Sequence, residues 1–297
     1  MRSLIRLGTR GSKLALAQAE IVSGRIKGID KQCQIEIKKI TTYGDKDQKT
    51  SLKEIGGKGI FIREIEHALL KNEIDIAVHS FKDITVQTAE GLSLCGFLKP
   101  ESCCDVLISK NRLQLKDIPE NGTIGTGSMR RKALLKRIRP DIICEDIRGN
   151  VDTRINKIEQ GLFDGILLSE AGLIRLGLES YIAERFDPEV FIPAPGQGVI
   201  ALQARTEDHH FLDLCRLVGD QTQFLISNAE YSAIERIGFD CRTPFGIFSR
   251  ISDGEIIMKA FFENPTDKRY SEVSVRGQLS SPRETGKQLA DQLLRNM

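Results

Sequence analysis

The first two-thirds of the chain alternates strand-like and helix-like segments, and that alternation restricts it to α/β architectures. QIEIKKI (34–40) alternates with period two and predicts a strand, as do the short apolar runs DIAVHS (75–80) and LSLCGFL (92–98). GIFIREIEHALLKNEI (59–74) sets Ile60, Phe61, Glu64, Ile65, Ala68 and Leu69 at helical spacing, which predicts a helix with an apolar stripe for the core. Pro100 marks a crossing point. Beyond it the scheme repeats, with strands at DVLIS (105–109), TIG (123–125), DIICEDI (141–147) and DGILLS (164–169). Helices are expected at SMRRKALLKRIR (128–139) and at VDTRINKIEQ (151–160), the latter closed by Gly161. PAPGQG (193–198) is a turn-rich hinge candidate, and VIALQAR (199–205) reads as a strand returning to one of the two units. From about residue 221 the pattern changes to a long helix (221–237) and strands near 245–251, 255–262 and 269–277. Asp253-Gly254 forms the hairpin turn, and a terminal helix closes an α+β third domain.

With 297 residues there is room for two or three such cores. Net charge is only +2, so no global field draws the chain to nucleic acid or to a membrane surface, and anion binding must come from local clustering. No apolar run approaches the roughly 20 residues of a membrane span. The basic N-terminus reads as strand, turn and helix, not as an export signal. Seven cysteines are scattered and odd in number. The adjacent pair Cys103-Cys104 has no zinc spacing, no CxxC occurs, and four histidines make a metal site unexpected. These features read as a reduced, cytoplasmic protein without a metal.

Candidate chemistry sits where strands end. VHSFKD (78–83) follows a strand and finishes on Lys82 and Asp83, the position where open α/β sheets gather ligands, although Asp in such loops often only caps a helix. His79 is expected to be a packed strand residue. IGTGSMRRK (124–132) runs from a strand through a glycine turn into a helix whose first turn carries Arg130 and Arg131. Cations there oppose the helix dipole unless an anion meets them. DIRGNVDTR (146–154) repeats the arrangement with Arg148 and Arg154, and Arg10, Ser12 and Arg175 hold comparable positions. Six arginines at element ends in a nearly neutral chain suggest a surface lined for carboxylates or phosphates, which guanidinium forks bind bidentately. No P-loop, dinucleotide fingerprint or GxSxG elbow is present. The polar, glycine-rich stretch 42–59 reads as a lid, a binding loop or a mobile surface loop.

Taken in order, TRGSKLALAQ (9–18), GGKGIF (56–61), IDIAVHSFKD (74–83), GTGSMRRKALL (125–135), IRGNVDTR (147–154), AGLIRLGL (171–178) and PAPGQG (193–198) resemble the hydroxymethylbilane synthase (porphobilinogen deaminase) family. The resemblance runs from about residue 4 to the C-terminus. It implies two lobes like those of periplasmic binding proteins, built on mixed sheets (1–98 with 199–217, and 99–198), with the active site in the cleft between them. A smaller α+β domain (218–297) would carry the cofactor. The implied enzyme is a monomeric transferase of tetrapyrrole and haem biosynthesis. It deaminates four porphobilinogen molecules and joins them head to tail into hydroxymethylbilane, primed by a dipyrromethane in thioether linkage to Cys241.

By the same resemblance Asp83 is the catalytic carboxylate, and Lys82, Asp83, Thr126, Ser128, Arg130 and Arg131 contact the cofactor. Arg10, Ser12, Gln18, Arg148, Asn150, Arg154 and Arg175 bind substrate, and 42–59 covers the cleft. The sequence departs from the family pattern beside the anchor, where Phe239 and Asp240 replace two small residues, and at Tyr231, which follows Ala229-Glu230 in place of a basic residue. Glu54 stands where some members have lysine. A second possibility left open is a non-catalytic or weakly active binder of acidic small molecules, since fold alone permits it.

Overall fold

The computed structural model describes residues 4–41, 62–84, 88–238 and 243–296. The chain divides into two compact units, Met1–Pro100 with Val199–Ser227, and Glu101–Gly198 with Asn228–Met297. In the first, β1 (Leu4–Arg10) passes through Gly11 and Ser12 into α1 (Lys13–Ile29). The Ser12 hydroxyl accepts the Ala15 N–H at 3.2 Å, satisfying one of the donors that a helix start leaves open. Ala15, Gln18, Ala19, Val22, Ser23 and Ile26 form the buried stripe of α1. β2 (Gln34–Ile40), α2 (Arg63–Leu70), β3 (Ile76–Ser80) and β4 (Leu92–Leu98) follow. The helix expected over 59–74 is thus shorter at its C-terminal end, where Asn72 takes a positive φ of 57°. Residues 59–61 lie outside the described residues.

After the crossing come β5 (Asp105–Ser109), β6 (Thr123–Gly125), α3 (Met129–Ile138), β7 (Ile143–Glu145), α4 (Val151–Glu159) and β8 (Gly165–Ser169). Two elements not anticipated from the sequence follow, α5 (Glu170–Leu176) and β9 (Ile182–Arg185). The chain returns as β10 (Ile200–Arg205) and α6 (His209–Val218), another helix the sequence reading passed over. Its buried face, Phe211, Leu212, Leu214, Cys215 and Val218, begins only after two histidines.

The two five-stranded sheets share one topology. The first has the order β2-β1-β3-β10-β4, with β1 parallel to β2 and β3, and β10 antiparallel to β3 and β4. The second has the order β7-β6-β8-β5-β9, with β6 parallel to β7 and β8, and β5 antiparallel to β8 and β9. In both, the fourth strand is the first one laid down after the chain crosses: β10 in the first, β5 in the second. Every residue of β5 is buried, its apolar centre Val106–Ile108 flanked by buried Asp105 and Ser109.

The third element group is α7 (Gln221–Ile237), the antiparallel meander β11 (Phe245–Ser252), β12 (Glu255–Glu263) and β13 (Tyr270–Gln278), and α8 (Pro282–Arg295). Asp253 and Gly254 take φ of 54° and 77°, the left-handed pair that closes a two-residue hairpin. Two mixed-sheet lobes and a smaller α+β domain are therefore the architecture. The meander shares a core with the second lobe: Phe261 of β12 packs with Phe191, Ile192 and Leu134, and Ile247 N donates to Pro193 O at 3.0 Å. Arg137 of α3 lies 3.6 Å over the Tyr270 ring, a cation–π contact.

Helices α7 and α8 meet at Gly286, where a Cβ would stand 1.9 Å from Ala229 O and 2.2 Å from the Ser232 hydroxyl. A backbone carbonyl cannot swing aside as a side chain can. Gly286→Ala is expected to cost about 1–3 kcal/mol through overpacking, read as a lower midpoint of urea unfolding.

Candidate active site

In the first unit, Leu7 lies opposite Ile76 and Gly8 opposite Ala77, so the C-terminal ends of β1 and β3 share one sheet edge. That edge carries Arg10, Ser12, Lys82 and Asp83. It is fixed from below by Thr9, whose hydroxyl donates to Val78 O at 3.2 Å, and by Gln18, buried, whose Nε2 donates to Ser80 Oγ at 2.9 Å. Phe81 is buried and its N–H donates to Val199 O at 2.9 Å. The pinned residue forces the next two, Lys82 and Asp83, outward, and both are exposed in the last positions of a short 3-10 turn, Phe81–Asp83. Gln18 therefore acts on this edge through Ser80, as a support.

His79 is the packed strand residue expected. Its Nε2 is 3.1 Å from Gln203 Oε1, and the Gln203 amide donates to Glu66 Oε1 at 2.8 Å. Burial holds the imidazole neutral, with its pKa pulled down to about 4.

In the second unit, β6 ends at Gly125 and the chain turns through Thr126, Gly127 and Ser128 into α3. Thr126 Oγ1 accepts Ser128 N–H at 3.2 Å, and the Ser128 hydroxyl caps the helix by accepting Arg131 N–H. The two arginines of the first turn fold inward. Arg130 Nη1 lies 2.6 Å from Asp105 Oδ2, and Arg131 Nε lies 2.8 Å from Asp105 Oδ1. Arg130 also donates to Ile192 O and Arg131 to Leu167 O, at 2.8 and 2.9 Å. The anion that meets these cations is thus internal. Burial alone would push the Asp105 carboxyl up, but the two guanidiniums overturn that and hold it down at about 2.

Gln197, from the turn 193–198, donates to Asp105 Oδ1 at 3.1 Å and to Cys103 O at 2.8 Å. The same turn is anchored by Glu230 of α7, whose Oε2 accepts Gly196 N–H at 2.7 Å. Burial raises the Glu230 carboxyl to about 7. Arg175 of α5 pairs with Glu101 at 2.6 Å and donates to Gly198 O.

At the end of β7, Arg148 and Asn150 precede α4 and Arg154 sits in its first turns. Arg154 Nε donates to Gly149 O at 2.8 Å, where Gly149 holds a φ of 110°. Burial, then the charges of Arg131 and Arg148, pull the Arg154 pKa below its usual value. Such a guanidinium gains from an arriving carboxylate.

Thr126, Ser128, Arg130 and Arg131 are thus brought together at one strand end, and Arg148, Asn150 and Arg154 at its neighbour, while Arg175 of α5 is held by Glu101 and Gly198 O. Cys241, Phe239, Asp240, Glu54 and the stretch 42–59 lie outside the described residues. Sequence reasoning missed Asp105, Gln197 and Glu230. The available signal for Asp105 was an acidic residue immediately before the apolar run Val106–Ile108. Among the described residues no cluster of three metal-ligating side chains occurs, and no helix is long and apolar enough to cross a membrane.

Two measurements check these electrostatics. Asp105→Asn leaves two buried guanidiniums without their anion and is expected to lower stability by about 3–5 kcal/mol. Because the folded pKa of Asp105 is depressed, its contribution is present above the ordinary carboxylate range and is lost as pH falls towards about 2; the variant should lose that acid sensitivity. Glu230 has the opposite sign. Its folded pKa is raised, so its contribution is full at acid pH and is lost as pH rises through about 7. Glu230→Gln keeps an acceptor for Gly196 and should flatten the stability profile across neutrality, measured by urea unfolding at several pH values.

Comparison with known proteins bears on the whole chain. The family model "Porphobilinogen deaminase, dipyromethane cofactor binding domain" matches residues 5–213, and "Porphobilinogen deaminase, C-terminal domain" matches 224–295. A porphobilinogen deaminase of Syntrophomonas wolfei is 40% identical over 294 residues, covering 99% of this chain and 96% of the relative. Those of Natranaerobius thermophilus and Lachnospira eligens are 37% and 42% identical, covering 98% and 92% of this chain and 95% and 93% of the relatives. Among solved structures, the periplasmic VFT2 domain of Bordetella pertussis BvgS aligns with a TM-score of 0.43 at 14% identity, covering 78% of this chain and 92% of that one. With both family models matched in order and full-length relatives at this identity, the chain belongs to the porphobilinogen deaminase family.

Proposed function

We propose that this porphobilinogen deaminase uses Asp83 as its catalytic carboxylate and Cys241 as the anchor of a dipyrromethane primer. The reaction deaminates four porphobilinogen molecules and joins them head to tail into hydroxymethylbilane. Family membership over nearly the full length is the observation that carries the reaction. When bound, the dipyrromethane supplies the pyrrole end on which the product is built. Its carboxylate groups suit side chains present in the second lobe: the half-buried Ser128 hydroxyl and Arg154, whose pKa is depressed partly by two neighbouring arginines, while buried Thr126 holds Ser128 by accepting its N–H.

Loss of ammonia from a substrate pyrrole leaves a delocalised cation. In this reading Asp83, exposed after β3 on a turn held by Phe81, stabilises that charge as it develops. Lys82 beside it, with Arg10 and Ser12 on the same sheet edge, attracts the acetate and propionate groups of substrate. Arg148, Asn150, Arg154 and Arg175 serve the growing row of carboxylates. Arg130 and Arg131, tied to Asp105, set the position and charge of the turn that presents Thr126 and Ser128. The protein acts as a monomer in the cytoplasm.

Asp83→Ala should lower kcat by about 100-fold or more while porphobilinogen binding persists. An unchanged turnover would remove Asp83 from the mechanism and leave the chain as a binder of acidic molecules. Intact-mass measurement should find the purified protein heavier than its sequence by two linked pyrroles, and Cys241→Ser should lack that addition.

A further inference from the structure

Three polar side chains, Glu66 of α2, Gln203 of β10 and His79 of β3, run through the interior of the first unit, and all are buried. The same layer holds an apolar cluster to which α2 and β3 give Ile65, Ala68, Leu69 and Ala77. β10 pairs with β3 so that Ala201 stands opposite His79 and Gln203 opposite Ala77. Gln203 and His79 are therefore diagonal neighbours on one face of the sheet, within reach of a long side chain. A carboxylate only accepts, so Gln203 turns its amide nitrogen to Glu66 Oε1, at 2.8 Å. Its oxygen is left to the imidazole, whose Nε2 stands 3.1 Å away and carries the proton. The same Glu66 Oε1 also accepts the Ala89 N–H, at 3.2 Å.

We propose, on the reading of Asp83 as the catalytic carboxylate, that Glu66 is its positioning residue, holding the chain before and after the turn that carries it. His79 lies four residues before Asp83 and Ala89 six residues after it. One oxygen thus ties both sides of the turn, through Gln203 on the first side and directly on the second. The turn itself is closed by Ile84 N–H donating to Phe81 O at 3.0 Å, and Phe81 N–H donates to Val199 O, just before β10. The chain of β10 therefore holds this segment at two points, Val199 beside Phe81 and Gln203 beside His79.

Packing alone does not call for three polar groups here. A buried polar group left without its partner costs about 1–3 kcal/mol, and apolar side chains of the same shape would fill the space without that exposure to loss. A satisfied chain of hydrogen bonds adds a single permitted arrangement. A carboxylate that stabilises a developing cation needs that, since a misplacement of about 1 Å in a reacting group can cost about 100-fold in rate. Arg10 and Ser12, at the end of β1, make no part of this chain of contacts, so substrate affinity is expected to survive its loss.

The test measures porphobilinogen turnover, as ammonia released, by the full-length protein carrying its dipyrromethane. Glu66→Ala should lower kcat by about tenfold or more and leave KM within about twofold. Glu66→Gln keeps an oxygen for both Gln203 and Ala89 and should restore most of the turnover. In the Asp83→Ala protein, adding Glu66→Ala should change the remaining rate by less than about twofold, because no carboxylate is left to misplace. Leu69→Ala, which opens a cavity under the same helix, controls for lost packing: it should lower the midpoint of urea unfolding without the loss of kcat. If Glu66→Ala fails to fold, Gln203→Met, which breaks only the arm to His79, takes its place and should also lower kcat. The proposal is overturned if the variant that folds keeps the wild-type kcat, or if Glu66→Gln is as slow as Glu66→Ala. It is equally overturned if Glu66→Ala slows the Asp83→Ala protein as much as it slows the unmodified one. An unchanged rate in Asp83→Ala alone overturns the catalytic reading itself, and is told apart because Glu66 is intact in that variant.

Discussion

The carboxylate of Asp105, fully buried and gripped by two guanidiniums, is the interaction on which the second lobe depends. Arg130 and Arg131 stand in the first turn of a helix, where the dipole repels them, and they lie where water cannot solvate them. Only a fixed anion makes that arrangement tolerable. Asp105 supplies it from the first position of β5, and through Gln197 the same carboxylate also fixes the turn 193–198. One acidic residue thus joins a strand, a helix start and a loop. Pairs of this kind add little net stability over an apolar core, yet they are costly to break, so they define geometry more than they strengthen it.

What that geometry serves is a set of strand ends. In the first lobe, Arg10 ends β1 and Asp83 follows its parallel neighbour β3, exposed just after the buried, pinned Phe81. In the second, Thr126 and Ser128 follow β6, and Arg148 and Asn150 follow β7. Parallel strands ending together, each followed by a short turn, collect polar groups at one edge without unpairing the ladder. Under the proposed assignment, these ends would bind the carboxylates of substrate and cofactor and bring Asp83 to the transient cation.

Much of this was legible in the chain itself. The runs 34–40, 92–98, 105–109 and 123–125 are strands with those bounds, the helix 221–237 matches its expected limits, and Asp253-Gly254 closes a hairpin. Local chemistry decides each of these. The helix His209–Val218 was missed because its apolar face starts late, and β9 because four residues make too short a period to read. Asp105, Gln197 and Glu230 were missed for a deeper reason. Each matters only through a partner 25 to 92 residues away in the chain, and no local pattern encodes that separation. The ordered motifs pointed to the family, whereas the arginines' internal anion was visible only in three dimensions.

The fourth strand of the first sheet has a consequence for how the protein is made. β10 spans 200–205 and pairs with β3 and β4, which end at residues 80 and 98. During synthesis the apolar edge of β3 therefore waits for roughly 120 further residues, about 6–24 s at ordinary elongation rates. An open strand edge is a template for pairing with other chains for as long as it is exposed. The nascent chain is thus most vulnerable while its second lobe is being translated, and any chaperone protection it needs is needed in that interval.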